Sequence, residues 1–194
     1  MRSNEYDFSV LTAMFVDDSP YMRRLIHDLL IAMGFGKVIT ANDGESALVL
    51  YKDEVPDILI TDASMEPMDG YEFVQRIRTD PSNPNLYIPI IMLSGHVEMA
   101  NIERARDNGV TEYLAKPVSA ASLHQRVVSV IEQPRQFVKV GNYFGPDRRR
   151  HTDDVFFGDN RRDGLDAVDS ESSDTVDSES TDTVDSKSEE QWVI

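Results

Sequence analysis

The chain has 194 residues, 40% of them apolar, and no cysteine, enough for one domain of ordinary size plus flanking segments. The missing cysteines exclude a disulfide framework, thiolate catalysis and a thiolate-ligated zinc site, and a net charge of −16 argues against broad nucleic-acid binding. No apolar run approaches the roughly 20 residues of a membrane span, and Met1-Arg2-Ser3-Asn4-Glu5-Tyr6-Asp7 lacks a signal-peptide layout, so the expectation is a cytoplasmic chain without membrane insertion.

After an N-terminal arm (residues 1–10), residues 11–133 alternate apolar runs with amphipathic stretches, the pattern of a parallel sheet covered on both faces. Residues 11–16 form a first strand. Ser19-Pro20 then supplies an N-cap and a proline at the first helical position. In the helix that follows, Met22, Leu25, Ile26, Leu29, Leu30 and Met33 recur at helical spacing, and Gly34 and Gly36 end it. Residues 37–40 are a short second strand, Asn42-Asp43-Gly44-Glu45 opens a second helix, and residues 58–61 are a third strand. A third helix spans residues 70–78, and Asp80-Pro81-Ser82-Asn83-Pro84-Asn85 is a dense turn signal. Residues 89–93 are almost wholly apolar, as a strand buried on both faces should be. A charge-rich helix over 97–108, a strand over 112–115 and a helix over 119–131 complete five βα units. The fold class expected is therefore α/β: a doubly wound, five-stranded parallel sheet.

Beyond Pro134 this pattern stops. Residues 134–163 form an arginine-rich extension holding two similar segments, Tyr143-Phe144-Gly145-Pro146-Asp147-Arg148-Arg149-Arg150 and Phe156-Phe157-Gly158-Asp159-Asn160-Arg161-Arg162-Asp163, neither with helix or strand periodicity. Residues 164–194 are an acidic low-complexity tail with an eight-residue repeat, expected to be disordered because it buries too little to offset its ordering entropy. Residues 163–194 carry eleven Asp and Glu against one Lys, most of the excess negative charge. The arginines would contact an acidic surface in cis, and Trp192-Val193-Ile194 reads as a frayed end or a docking tip.

In an open parallel sheet, ligands bind beyond the carboxyl ends of the strands. Asp17 and Asp18 end the first strand, Asp62 the third, Ser94 follows the fourth and Lys116 the fifth, so all five converge on one crevice. Singly, such residues are more often caps or loop residues; the joint pattern is what points to chemistry. Clustered carboxylates repel unless a cation intervenes, and Mg2+, a hard ion with oxygen ligands, suits them. An aspartate such as Asp62 can then attack phosphorus to form an aspartyl phosphate. Lys116 neutralises the phosphoryl oxygens and the Ser94 hydroxyl hydrogen-bonds them.

Residues 11–133 resemble the receiver domain of two-component response regulators, through Asp17-Asp18, Asp62 with Met65 and Asp69-Gly70 downstream, Ser94-Gly95, and Tyr113-Leu114-Ala115-Lys116-Pro117. The resemblance implies a (βα)5 flavodoxin-like fold. It also implies Asp62 as phosphoacceptor, Mg2+ held by Asp18, Asp62, the Ser64 backbone carbonyl and, through water, Asp17, and contacts to the phosphoryl group from Ser94 and Lys116. Ser94 and Tyr113 would be a switch pair that reshapes the face of the fourth helix, fifth strand and fifth helix. Ser64 and His96 stand where receivers tune phosphoryl lifetime, and Glu66-Pro67 departs from the family's usual loop. The extension is similar to that of stand-alone bacterial receivers.

The function so implied is a response regulator that accepts a phosphoryl group from a phosphohistidine and signals by protein–protein contact. Its partners would be a sensor histidine kinase or a histidine phosphotransfer protein, an output protein, and in one arrangement a second copy as a homodimer; nucleic acid is not expected. An alternative is a relay intermediate that passes the phosphoryl group on to a histidine phosphotransfer protein. A phosphatase is disfavoured, because dehalogenase-type enzymes need a second Asp where this chain has Ser64. Chemistry is then limited to self-phosphorylation and autodephosphorylation at Asp62. His27, His96, His124 and His151 lack the context of a relay histidine.

Overall fold

The computed structural model describes residues 6–147 apart from positions 97 and 142. The chain divides into two units, Met1–His151 and Thr152–Ile194. The second unit, with the acidic tail, the second Phe-Gly segment and Trp192, lies outside the described residues, as do Arg148 to Arg150.

Five strands, β1 (Thr12–Val16), β2 (Lys37–Ala41), β3 (Ile58–Asp62), β4 (Ile90–Ser94) and β5 (Glu112–Ala115), form one sheet in the order β2-β1-β3-β4-β5. Every pair is parallel, with Met14 level with Leu59, Ile60 with Ile91 and Met92 with Tyr113. The connecting helices are α1 (Pro20–Ala32), α2 (Gly44–Glu54), α3 (Gly70–Thr79), α4 (Met99–Asp107) and α5 (Ala120–Glu132).

Because successive strand residues point to opposite faces, the central strands feed two cores. Met14, Val16, Leu59, Ile90 and Met92 join Tyr51 of α2 and Phe73, Val74 and Ile77 of α3 on one face. Ala13, Phe15, Ile58, Ile60, Ile91 and Leu93 join Ile26 and Leu30 of α1 and Leu123, Val127 and Val130 of α5 on the other. β3 and β4 are buried along their whole length, so their near-continuous apolar sequence follows from having helices on both sides.

Most helices start where side chains satisfy their first N–H groups. Ser19 caps α1 ahead of Pro20, Asp43 accepts from Ser46 N at 2.7 Å, Asp69 accepts from Glu72 N at 2.7 Å, and Ser119 and Ser122 form a capping box. The helix α4 is shorter than its sequence suggests. Glu98 is extended and makes no side-chain cap bond, so the helix begins at Met99 rather than at 97.

The clearest departure from the sequence reading lies beyond α5. Phe137–Val140 (β6) and Tyr143–Pro146 (β7) pair antiparallel, Phe137 opposite Pro146, with Gly141 at φ +57° in the turn. The start of the first Phe-Gly segment, Tyr143–Pro146, read from sequence as lacking strand periodicity, is therefore a strand. Phe137, Phe144 and Tyr87 cluster with centroids 5.2 to 5.6 Å apart, and Phe137 lies 5.0 Å from the guanidinium of Arg78. Arg78 is buried at 3% exposure. It donates Nε to Gly109 O at 3.0 Å and Nη1 to Leu86 O at 2.8 Å, and burial pulls its pKa down to about 9. A Cβ on Gly145 would sit 2.8 Å from Gly109 Cα, a close approach that only glycine permits. The hairpin thus packs at the amino end of β4 and β5, the pole opposite the strand ends that carry Asp62 and Ser94.

Replacing Phe137 by Ala strips one ring from the cluster and the cover from Arg78. A loss of about 1–3 kcal/mol in unfolding free energy is expected, read by urea denaturation.

Candidate functional site: a carboxylate crevice at the strand ends

The sheet reverses its winding between β1 and β3, and the crevice beyond that point holds the acidic residues. Asp17 directly follows β1 and is fully buried, its Oδ1 accepting Ser19 N at 2.8 Å; Asp18 beside it is exposed. Arg23 of α1 clips this turn by donating Nη1 to the backbone oxygens of Asp17 at 2.8 Å and Asp18 at 3.0 Å. Asp62 ends β3 at 6% exposure, and its Oδ2 accepts Ser64 N at 3.3 Å. Carboxylate oxygens of Asp17, Asp18 and Asp62 all lie within 4.8 Å of one another.

Lys116, from the loop after β5, reaches in with Nζ 2.7 Å from Asp62 Oδ1 and 3.1 Å from Asp17 Oδ2. Its backbone N–H is pinned to Ser94 O at 2.8 Å, so β4 sets where the lysine enters. Burial pushes the Asp62 carboxyl above its ordinary value, Lys116 pulls it back and Asp17 pushes it further up. Burial alone would lower the Lys116 pKa, but the two carboxylates outweigh it and the ammonium is held above its ordinary value. Two buried carboxylates and one lysine leave the crevice short of positive charge.

Gly70, at the start of α3, sets the depth of the Asp62 strand end. A Cβ there would lie 2.0 Å from Asp62 O, so the helix abuts the strand terminus only because the residue is glycine.

Ser94 ends β4 buried, and its Oγ accepts His96 N at 3.0 Å and donates to His96 O at 3.3 Å. Tyr113 is half-buried, and its hydroxyl donates to the same His96 oxygen. The serine and tyrosine paired in the sequence reading thus meet on one backbone carbonyl of the β4–α4 loop. Ser64, exposed in the β3–α3 loop, lines a cleft with Asp18, Glu66, Asp69, Ser94 and His96.

Every site residue expected from sequence lies at this end of the sheet. Three neighbours in the cleft wall, Tyr71, Asn101 and Arg104, were not expected. No local signal marks Tyr71 on α3 or Asn101 and Arg104 on α4, since only tertiary packing selects which arginine of α4 reaches the cleft wall. His27 instead lies on α1 beside Asp28, and His124 packs beside Phe8; His151 is outside the described residues.

Lys116→Met would leave Asp17 and Asp62 buried without a counter-charge. Breaking such a pair costs about 2–3 kcal/mol, below the fully buried range because Lys116 is 24% exposed. A carboxyl with a raised folded pKa favours folding below its unfolded value, and that contribution is lost as pH rises through the folded value. The Lys116→Met deficit is therefore greatest near neutral pH and shrinks on acidification, read by melting across pH 4–7.

The geometry agrees with the comparisons to known proteins. The chain is 35% identical over 120 residues to "Probable transcriptional regulator ycf27" of Guillardia theta, covering 62% of this chain and 45% of that protein. It therefore spans less than half the length of that relative. It is 32% identical over 120 residues to "Chemotaxis protein CheY-3" of Vibrio cholerae, covering 62% of this chain and 91% of that one. Among solved structures, Vibrio cholerae CheY4 superposes with a TM-score of 0.58 at 29% identity, covering 62% of this chain and 98% of that one. A CheX–CheY–BeF3–Mg2+ complex from Borrelia burgdorferi gives 0.57 at 28% identity, covering 62% and 89%. The response regulator receiver domain family matches residues 13–128, and the chain belongs to it: it carries a CheY-like receiver domain of two-component signalling.

Proposed function

We propose that the chain is a phosphorylation-activated response regulator, with Asp62 taking a phosphoryl group from a phosphohistidine of a sensor histidine kinase or histidine phosphotransfer protein. The observation that supports this most directly is the Asp62 carboxylate held 2.7 Å from Lys116 Nζ with Asp17 and Asp18 alongside. In the transfer, an Asp62 oxygen forms a bond to phosphorus as the P–N bond to imidazole breaks, and the imidazole nitrogen takes up a proton.

The donor set is all oxygen and under-neutralised, which fits a hard divalent cation. Asp17, Asp18, Asp62 and the Ser64 carbonyl would hold Mg2+, which when bound offsets the charge on the transferring phosphoryl group. Lys116 orients Asp62 and meets the phosphoryl oxygens. The Borrelia burgdorferi relative, whose complex holds BeF3 and Mg2+, supports the assignment. Ser94 Oγ exchanges its bonds to His96 for a phosphoryl oxygen, and Tyr113, sharing the His96 carbonyl, reports the change to α4, β5 and α5. The output is contact with another protein, with no turnover of a separate substrate, since Ser64 offers no second carboxylate for acid–base work. No helix among the described residues is long and apolar enough to cross a membrane, in keeping with a cytoplasmic site of action.

Incubation with acetyl phosphate and Mg2+ should add one phosphoryl group to the chain and none to its Asp62→Asn form, read by intact-protein mass spectrometry. An adduct that survives the substitution would sink the assignment. Mg2+ alone should stabilise the wild-type chain by about 2.7 kcal/mol at a hundredfold excess over its dissociation constant, and Asp17→Asn by less, read by urea denaturation.

A further inference from the structure

The residues after α5 grip one short segment, Gly109 to Tyr113, which runs from the end of α4 into β5. They hold it at two points. The first is Gly109, the left-handed residue that stops α4 at φ +87°. Its carbonyl accepts Arg78 Nε at 3.0 Å. A Cβ built on Gly145 of β7 would lie 2.8 Å from Gly109 Cα, and one built on Gly109 would lie 3.1 Å from Phe144 O, so the two backbones touch. The second point is Glu112, a buried carboxylate of β5. Arg126 of α5 donates Nη1 to its Oε2 at 3.1 Å, and Arg135, in the lead-in to β6, donates Nη2 to its Oε1 at 3.2 Å. Arg135 and Tyr113 also line one cleft, together with Ala105 and Val110.

This anchoring makes α4 a lever held at one end. Its carboxyl end is fixed where Gly109 meets β7 and Arg78. Its amino end has no side-chain cap, and Ala105 is its one buried residue. Arg104, half-exposed, ties it to Asp69 at 2.9 Å. That looser end follows the loop whose His96 carbonyl takes the bonds of Ser94 and Tyr113.

We propose that Arg135 and Gly145 are positioning residues for the switch: the β6–β7 hairpin clamps the segment 109–113 in the arrangement where Ser94 and Tyr113 share the His96 carbonyl, and so opposes phosphorylation of Asp62 from the far pole of the sheet. The proposal rests on the reading of Asp62 as phosphoacceptor and of Ser94 and Tyr113 as the switch. Phosphoryl acceptance takes Ser94 off that carbonyl, and the segment carrying Tyr113 then shifts against two anchors. Such coupling is reciprocal. Loosening the hairpin favours the phosphorylated form, and phosphorylation loosens the hairpin.

The test uses the full chain. Arg135→Ala leaves Glu112 paired with Arg126, so the buried carboxylate keeps a counter-charge, and Gly145→Ala forces β7 away from Gly109. Before any phosphodonor is added, both should speed amide hydrogen exchange over residues 109–113. With acetyl phosphate and Mg2+, both should raise the initial rate of Asp62 phosphorylation by roughly two- to tenfold, the effect of one hydrogen bond on a two-state balance. Arg135→Lys should fall between Arg135→Ala and wild type, and Lys139→Ala, exposed on β6, should match wild type. Phosphorylated wild type should in turn exchange faster over residues 137–140 and 143–145, a response that a merely structural hairpin would not give. Unchanged phosphorylation rates in both variants, or hairpin exchange that ignores phosphorylation, would overturn the proposal. So would an Arg126→Ala rate equal to that of Arg135→Ala with none of the effect in Gly145→Ala, since the cause would then be the charge balance of Glu112. If exchange over 109–113 responds to the variants but the wild-type chain takes up no phosphoryl group, the clamp stands and the phosphoacceptor reading fails.

Discussion

Two buried carboxylates share one lysine at the carboxyl edge of the sheet. Asp17 directly follows β1 and Asp62 ends the neighbouring β3, with Val16 level with Thr61, so the pairing of these two strands brings both carboxylates to one place. Lys116 crosses from the far side of β4 to reach both. Charges this deep interact more strongly than they would in water, and each is costly if left alone. One ammonium does not balance two carboxylates, and Asp18 adds a third at the rim. The protein thus holds a crevice that is folded around a charge deficit, which explains both why a hard cation suits it and why adding a phosphoryl group would be felt throughout.

The two sides of this crevice differ in stiffness. On the Asp62 side, β3 is buried throughout and α3 is pressed against its end through Gly70. On the Ser94 side, a loop leads into a short, uncapped, mostly exposed helix. A change in charge at Asp62 would therefore act between a tightly packed wall and a sparsely packed one. Ser94 and Tyr113 both bond the His96 carbonyl on the sparsely packed side, and Arg104 ties α4 to Asp69, the N-cap of α3.

The five βα units were legible because each level of the sequence agrees. Apolar runs fit strands covered on both faces, helical spacing gives α1 its inward stripe, and Ser, Asp and Gly stand where helices begin and end. The charged positions of the site were legible for the same reason, since a strand's end places its next residue in the crevice. The hairpin after α5 was not. Phe137-Val138-Lys139-Val140, the Gly141-Asn142 turn and Tyr143-Phe144 together form a hairpin signal. Yet an isolated two-stranded ribbon is marginal in water, and Tyr87 and Arg78, fifty to sixty residues earlier in the chain, are what it packs against. The contact of Arg104 with Tyr71 and Asp69 was equally hidden, because α4 carries Arg104 and Arg106 two positions apart and its sequence does not distinguish them.

By itself, the sequence determined the order of the five βα units, the parallel sheet, and which carboxylates, serine and lysine sit at its carboxyl edge. These follow from local periodicity and from the geometry of strands, which hold wherever the pattern occurs. Tertiary structure alone decided that Lys116 bridges Asp17 and Asp62, that Ser94 and Tyr113 share one carbonyl, that Arg104 stacks on Tyr71, and that residues after α5 fold back over Arg78. Each of those depends on which side chains meet across long separations in the chain, a matter of packing and desolvation that no local pattern encodes.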